Sequence, residues 1–215
     1  MKITMYGNGG AGNHGCEAIS RGTVELLGAN EYRILSENCR EDAQYGLDTC
    51  AALESAKEAR KKDFGFLKAY AKLKLTGNYA DMDGLYYLPA IKSCKGNTDI
   101  AFSIGGDNYC YGNTALYAYL NRAFLKQGIK TALWGCSIEP EVAAEADVAE
   151  DLRNYSIVAA RESITYAAVK EVGANALLMP DPAFLMKATA CEVEDFFLQK
   201  EVIGINISPM IINNE

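Results

Sequence analysis

The stretch Met1–Ile19, MKITMYGNGGAGNHGCEAI, joins a short apolar run to a glycine-rich turn and then to a helical pattern. Lys2–Tyr6 has the composition of a buried strand, and the helical pattern continues over Cys16–Leu27 with apolar residues on one side. A strand that passes through a turn into an amphipathic helix is typical of the first unit of a parallel α/β sheet. The glycines let the backbone approach a ligand closely, and the helix N-terminus favours an anion at the same place.

The same alternation continues along the rest of the chain. Six further apolar runs are predicted to be strands: Tyr32–Ser36, Ile100–Ile104, Thr131–Trp134, Ser156–Ala160, Ala176–Met179 and Val202–Ile207. Five further helical patterns are Leu67–Leu75, Thr114–Lys126, Val142–Asn154, Ser163–Val172 and Glu192–Gln199. The interleaving predicts the α/β class, with a Rossmann-like, doubly wound and mostly parallel sheet.

The domain organisation follows from this pattern and its interruptions. We expect residues 1–190 to form the α/β domain, with a helical insertion at about 38–95. The insertion contains the basic segment ARKKDFGFLKAYAKLK, whose lysines are interpreted as a solvated helix face rather than a phosphate or lipid patch. Residues 191–215 are expected to be a linker helix and the first strand, IGINIS, of a second domain that is otherwise missing. Alternatively, that strand closes the first sheet.

Composition excludes several classes of function. The formal net charge of −7 argues against nucleic-acid binding and broad anionic-membrane binding, but it permits a small anion held by local donors. The seven cysteines form no C-x-x-C pair, which indicates reduced thiols in a cytoplasmic protein rather than disulfides. A single histidine argues against a zinc site. No apolar run reaches the length of about 20 residues that a membrane span requires.

The glycine turn supplies the first group of candidate site residues. GNGGAG fits the dinucleotide pattern G-x-G-x-x-G, and Glu37 lies near the place of the ribose-binding acid, although Asn13 to Gly15 lengthen the loop. His14 has a pKa range suited to proton transfer, or it is an ordinary hydrogen-bonding loop residue. The alternative for the whole turn is a flexible connector. The candidates are Gly9, Gly10, Asn13, His14 and Glu17.

The ends of later strands supply the second group. Asp107 follows a strand and two glycines, and it either binds sugar hydroxyls or caps the next helix. Arg161 stands where a strand meets a helix, and it either holds an anion with two donors or forms a structural ion pair. Asp181 is fixed between two prolines, where it binds a ligand or braces an interdomain link. The candidates are Gly105, Gly106, Asp107, Asn108, Ser137, Arg161, Glu162 and Asp181.

Six stretches in order resemble the polysaccharide pyruvyl transferase family: NHGCEAI after the glycine turn, SIGGDN, LWGCSIEP, AARES-x-T, PDPAF and IGINIS. The resemblance covers nearly the whole chain. It implies the N-terminal half of a two-domain, glycosyltransferase-B-type enzyme. That enzyme transfers a pyruvyl group from phosphoenolpyruvate to a sugar or lipid-linked saccharide of a surface polysaccharide and forms a ketal. No metal or organic cofactor is implied.

The catalytic candidates among these residues are His14, Asp107 and Arg161. The resemblance implies that donor-binding basic residues and a catalytic histidine come from the second half. Two alternatives stay open. One is a nucleotide or nucleotide-sugar binding Rossmann domain, based on GNGGAG and Glu37. The other is a non-catalytic interaction domain with an exposed apolar face and a tendency to form homo-oligomers.

Overall fold

Seven parallel strands form one sheet in the computed structural model, which describes residues 1–59, 63–110, 112, 114–187, 190, 192, 195–198 and 201–205. The strands are β1 (Lys2–Tyr6), β2 (Glu31–Ser36), β3 (Ala52–Ser55), β4 (Ile100–Ser103), β5 (Lys130–Cys136), β6 (Ile157–Ala160) and β7 (Ala176–Leu178). Their order is β3-β2-β1-β4-β5-β6-β7, and every hydrogen-bonded pair is parallel. The predicted Rossmann-like, doubly wound sheet is confirmed.

Helices connect the strands and cover both faces of the sheet. They are α1 (His14–Leu27), α2 (Cys39–Gln44), α3 (Phe64–Thr76), α4 (Ala80–Ser93), α5 (Thr114–Lys126), α6 (Pro140–Ala143), α7 (Ala146–Asn154), α8 (Ser163–Glu171) and α9 (Asp195–Leu198), with 3₁₀ helices at Leu47–Thr49 and Pro182–Leu185. Met5 and Phe102 pack with Ile19 of α1 on one face. Tyr6 packs with α4 and α5 on the other face, because successive strand residues point to opposite sides.

The strand order places a topological switch at the centre of the sheet. From β1 the chain builds β2 and β3 on one side, and it then crosses back to place β4 on the other side of β1. The loops that follow β1 and β4 therefore diverge at the carboxyl edge of the sheet. In open α/β sheets this crevice is where ligands bind.

The segment after β7 is fastened to α1 by a close backbone contact. A Cβ on Gly22 would lie 1.9 Å from the Pro182 carbonyl oxygen, so only glycine permits this approach. On its other side, Pro182 approaches Gly135 of β5, where an added Cβ would lie 3.1 Å from the proline Cδ. Through these two contacts, Pro182 holds the segment that carries Asp181 against α1 and β5.

The predicted helical insertion at 38–95 needs a correction. It holds α2, α3 and α4, but it also contains β3, which extends the sheet beyond β2. The sequence ALES of β3 shows no clear alternation, because this short edge strand pairs on one side only and its ends are exposed. The insertion is thus partly a component of the sheet.

Two other predicted elements differ from the structure. The helix predicted at Val142–Asn154 is divided into α6 and α7, because Glu145 takes an extended backbone conformation between them. The strand predicted at Val202–Ile207 is not formed over residues 202–205, and residues 206 and 207 lie outside the described residues. Of the helix predicted at Glu192–Gln199, the structure describes α9. The division of the chain near residue 190 stays a prediction.

Candidate functional site

The guanidinium of Arg161 gathers side chains from the ends of four strands. Arg161 directly follows β6, and its Nε donates to Ser137 Oγ, which follows β5, at 2.7 Å. One terminal nitrogen donates to Asp107 Oδ1, in the loop after β4, at 2.7 Å. The other donates to Asp181 Oδ2, just after β7, at 3.2 Å. Four residues predicted separately from the sequence therefore form one cluster at the carboxyl edge, which we call the Arg161 cluster.

The electrostatics of the Arg161 cluster favour a fixed cation. Partial burial alone would lower the pKa of Arg161, but the charges and hydrogen bonds of Asp107 and Asp181 raise it above its ordinary value. The side chains of Arg161 and Asp181 are 27% and 18% exposed, whereas that of Asp107 is 43% exposed. Two carboxylates against one guanidinium leave the cluster with a net negative charge. Of the three charged members, Asp107 is the most accessible to a ligand.

Backbone contacts fix the loop that carries Asp107. The Ser137 N–H donates to the Gly106 carbonyl at 2.9 Å, which joins the loop after β4 to the loop after β5. A Cβ on Gly105 would lie 2.2 Å from the Gly7 carbonyl oxygen, so glycine is required where the loops after β1 and β4 meet. The predicted residues Gly105 and Gly106 thus shape the crevice at the topological switch.

Asn108 is a buried brace in this crevice. Its amide is placed to donate to the Gly7 carbonyl at 3.1 Å and to the Tyr117 hydroxyl at 3.0 Å. It accepts from Ser103 Oγ at 2.8 Å and from the Gly105 N–H at 3.2 Å in the same orientation. Asn108, a substrate-binding candidate, is only 6% exposed. Its hydrogen bonds therefore hold the neighbouring loops together, and little of the side chain is accessible to a ligand.

Acidic side chains surround the glycine turn. Asp42 of α2 is fully buried and accepts from the Ala11 N–H at 2.7 Å. Glu41 lies beside Gly10 and Gly12, since an added Cβ on Gly10 would be 3.6 Å from its carboxylate. Gly10 is buried and Gly9 is exposed. A backbone donor that a pyrophosphate would use is therefore occupied by a carboxylate, which argues against a dinucleotide at this turn.

The predicted ribose acid is also occupied. Glu37 accepts a short hydrogen bond from the Tyr87 hydroxyl, and Lys57 Nζ lies 2.5 Å from its other oxygen. Burial, followed by the hydrogen bond and charge of Glu37, raises the pKa of Tyr87. Sequence reasoning missed this group of Glu37, Lys57 and Tyr87, because its members come from three separate segments.

His14 lies at the start of α1 and is not in contact with the Arg161 cluster. Its side chain is 74% exposed, with Nδ1 3.4 Å from Glu17 Oε2 and the ring edge-on to Tyr45. Glu17 also accepts from Arg21 Nε at 2.8 Å. Asn13 is the N-cap of α1 and accepts from the Gly15 N–H at 3.0 Å. His14 and Glu17 therefore form a second polar group, with Arg21 and Tyr45.

Cys16 lies within the electrostatic influence of both acidic regions. Burial, together with the negative charges of Asp107 and Asp42, raises the pKa of this thiol to about 11. Only 7% of Cys16 is exposed. A buried thiol held in its protonated form is a poor nucleophile, so Cys16 packs beneath the crevice rather than reacting.

Glu162 caps a helix beside the Arg161 cluster. Its carboxylate accepts from the Ile164 N–H at 2.6 Å and from the Thr165 N–H at 3.0 Å, as the N-cap of α8. Although partial burial opposes it, these hydrogen bonds and the charge of Arg161 lower the pKa of Glu162. Asp181 has a similar second task, because its Oδ1 accepts from the Ala183 N–H at 2.9 Å.

Neither a metal centre nor a membrane span is found in the part of the chain that the structure describes. No three His, Cys, Asp or Glu side chains among the described residues come together as a metal site would require. No helix there combines the length and the apolar character needed to cross a membrane.

Comparisons with known proteins identify the family. Residues 13–200 match a family model described as polysaccharide pyruvyl transferase. No curated protein matches the chain. A solved structure of Arabidopsis thaliana UGT89C1 complexed with UDP-L-rhamnose is similar, with 10% identity and a TM-score of 0.44, over 74% of this chain and 44% of that one. The chain thus spans less than half of that protein, and so distant a likeness carries no argument about function. Because the family model matches most of its 215 residues, the chain belongs to the polysaccharide pyruvyl transferase family.

Proposed function

We propose that this chain takes part in pyruvyl transfer from phosphoenolpyruvate to a sugar of a surface polysaccharide, forming a ketal. One observation supports this most directly. Arg161 holds Asp107, Ser137 and Asp181 together at the carboxyl edge, where α/β enzymes bind their substrates. The family match supports this reaction class, and the Arg161 cluster offers donors, acceptors and an accessible carboxylate.

The reaction needs proton transfer at two points. Protonation of the enol CH₂ carbon of phosphoenolpyruvate makes the adjacent carbon electrophilic, and one sugar hydroxyl oxygen bonds to it. The C–O bond to phosphate then breaks, and a second hydroxyl oxygen completes the ketal. One hydroxyl proton is balanced by the new methyl group, and the other by the released phosphate. A general acid and a general base must therefore stand near the sugar hydroxyls.

We assign the acceptor hydroxyls to the Arg161 cluster. Its net charge is negative, and Glu41 and Asp42 add further negative charge around the glycine turn, so the polyanionic donor would be repelled. A neutral sugar can instead donate its hydroxyls to Asp107 and accept from Arg161. Each terminal guanidinium nitrogen uses one N–H on a carboxylate of the described residues and keeps one for a ligand.

The donor anion then needs cations from elsewhere. We propose that a second domain supplies them across the crevice and that the acceptor is a lipid-linked saccharide on the cytoplasmic side of a membrane. The free cysteines among the described residues support a reducing compartment. The His14 side chain is exposed, so it could donate a proton to a substrate bound between this domain and the second one. We propose His14 as the general acid.

Product analysis tests this proposal. The full-length gene product is incubated with phosphoenolpyruvate and a pool of lipid-linked saccharides, and saccharide masses and released phosphate are followed together. The proposal expects a saccharide that is heavier by one pyruvyl ketal and an equal amount of phosphate. Saturable binding of NAD or a nucleotide sugar, with no pyruvylated saccharide, would instead support a nucleotide-binding domain.

A further inference from the structure

α3 presents an apolar stripe that the rest of the described chain leaves uncovered. Phe64, Leu67 and Leu75 are 82%, 61% and 87% exposed. Together with Ala71 they recur at spacings of three and four residues, which places them on one side of the helix. Ala69, which is buried, lies on the other side, where α3 packs against α4. The apolar stripe is therefore separate from the surface that holds α3 to the domain.

Lysines border this apolar stripe. Lys68, Lys72 and Lys74 are exposed, and α3 itself contains no acidic residue. Lys72 pairs with Asp81 of α4, and Lys74 lies 5.4 Å from the centre of the Tyr70 ring. α3 therefore carries three basic residues and no acidic one, in a protein whose net charge is −7.

We propose that α3 docks the protein on an anionic membrane surface. Apolar side chains along one line, with lysines on both sides, are the pattern of a helix that lies in the lipid headgroup region. The local positive charge complements anionic lipids, whereas the remaining surface is acidic and is repelled. From sequence these lysines are expected to form a solvated helix face, and the structure shows exposed apolar residues between them, which is what lipid contact requires.

α3 lies near the carboxyl edge of the sheet, the edge that carries the Arg161 cluster. Tyr87 of α4 contacts Glu37, which directly follows β2, at the carboxyl edge of the sheet. The seven residues of α4 that precede Tyr87 extend about 10 Å farther from the amino edge, at the usual helical rise. α3, which packs on α4, therefore stands beside the edge that carries the candidate site. Docking there would present the site to a lipid-linked acceptor, a consequence that rests on the proposed function.

Vesicle binding by the full-length protein tests the docking. Phosphatidylcholine vesicles are compared with vesicles of equal parts phosphatidylcholine and phosphatidylglycerol. The substitution Phe64→Trp adds a reporter, since the only native tryptophan, Trp134, is 7% exposed. We expect its emission to shift to shorter wavelength on the anionic vesicles and to return as salt screens the charges. An unchanged emission would overturn the proposal.

Matched substitutions distinguish binding through the apolar stripe from non-specific adsorption to the vesicles. The pair Leu67→Ser and Leu75→Ser should weaken co-sedimentation with anionic vesicles by about tenfold or more. Lys68→Gln with Lys74→Gln should weaken it and reduce its salt dependence. The control for the serine pair is Ile164→Ser, an apolar residue outside α3 that is 64% exposed. The control for the glutamine pair is Lys126→Gln with Lys130→Gln, also outside α3. Both controls should bind vesicles like the wild type.

Two results would contradict docking through α3. One is equal loss in the controls, and the other is undiminished binding of both the serine pair and the glutamine pair. Thermal unfolding of each variant verifies that these exposed substitutions leave the fold intact. Because the assay needs no turnover, vesicle binding without pyruvyl transfer would count against the proposed function alone, and transfer without vesicle binding would count against the docking alone.

Discussion

The three nitrogens of Arg161 each serve a different partner, and this explains why arginine rather than lysine stands there. A planar guanidinium can donate to Ser137, Asp107 and Asp181 at once, whereas an ammonium group is a single point that cannot reach all three. The sequence indicated two possibilities for Arg161, an anion-binding role and a structural ion pair. The structure shows the ion pair, and the exposed Asp107 leaves room for a ligand as well.

Arg161→Lys therefore should lower pyruvyl transfer more than it lowers stability. We expect a loss of about tenfold or more in kcat/KM, because the positions of Asp107 and Ser137 are no longer fixed. Steady-state kinetics on the full-length protein measures this, with Arg153→Lys as a control away from the cluster. A wild-type kcat/KM in Arg161→Lys would show that the planar arrangement of the three guanidinium nitrogens has no catalytic importance.

Glu162 gives a prediction with a definite pH dependence. Glu162→Ala should cost about 1 kcal/mol of unfolding free energy at neutral pH through loss of the α8 cap. Because the folded state lowers the pKa of Glu162, its contribution is present above the ordinary carboxyl pKa and disappears as the pH falls through the lower folded value.

Urea unfolding of Glu162→Ala and Glu162→Gln across this acidic range measures the effect. The glutamine variant, which keeps an acceptor oxygen, should lose less than the alanine variant. Its kcat/KM should stay near that of the wild type, since the carboxylate binds the helix end rather than the cluster. A large loss of kcat/KM in Glu162→Gln would instead support its predicted role in substrate binding.

At the scale of elements, the packing of α1 against the segment at Pro182 depends on one glycine. Gly22→Ala places a methyl group 1.9 Å from the Pro182 carbonyl oxygen, so helix and segment must move apart. We expect a loss of about 1–3 kcal/mol in unfolding free energy, as for other overpacked sites. Gly15→Ala is the control, because its added carbon would be 3.2 Å from the Asn13 side chain only. Equal stability of the two variants would contradict this account of the packing.

A buried network of side-chain hydrogen bonds anchors the loop that carries Asp107. The Tyr109 hydroxyl donates to Asp151 at 2.5 Å and lies 3.0 Å from the Tyr155 hydroxyl, while Asn121 donates to the other Asp151 oxygen at 3.0 Å. Burial raises the pKa of Asp151, although both donors act against the increase. The network joins α5 and α7 to the site loop.

Tyr109→Phe removes one of those donors. We expect a cost of about 1–3 kcal/mol, because a buried carboxylate oxygen is left without a partner. The deficit should be largest at neutral pH and should shrink at acid pH, where protonation of Asp151 removes the charge that needs the donor. Denaturant unfolding at both pH values measures it, with the exposed Tyr86→Phe as the control. A deficit that does not change with pH would contradict this account of Asp151.

The elements themselves differ in how far sequence predicts them. β1, β4, β5 and β6 are buried over most of their length, so their apolar runs are visible, and the glycine turn marks the start of α1. β3 is an exposed edge strand of four residues, which is too short for a pattern. The break between α6 and α7 has neither glycine nor proline to signal it. Local sequence therefore misses the features that depend on an edge or a tertiary contact.

At the scale of the whole molecule, the sheet brings distant parts of the chain to one place. Polar residues that follow strands predict the four members of the cluster one by one: Asp107, Ser137, Arg161 and Asp181. That three of them meet on the guanidinium of the fourth depends on the strand order. The same holds for Asp42 beneath the glycine turn, since nothing in α2 distinguishes a buried acid from an exposed one. The parallel order β1-β4-β5-β6-β7 aligns the carboxyl ends, and with them the candidate site.

The rate of pyruvyl transfer by Asp107→Asn is the most direct test that the Arg161 cluster is catalytic. Asparagine keeps the size and an oxygen for Arg161 but removes the carboxylate that would accept a hydroxyl proton. We predict that the rate falls by about a hundredfold or more, as for loss of a general base. The unfolding free energy should change by about 1 kcal/mol at most, since the side chain is 43% exposed. An unchanged rate, with or without a change in stability, would contradict the account and leave the cluster a structural ion pair.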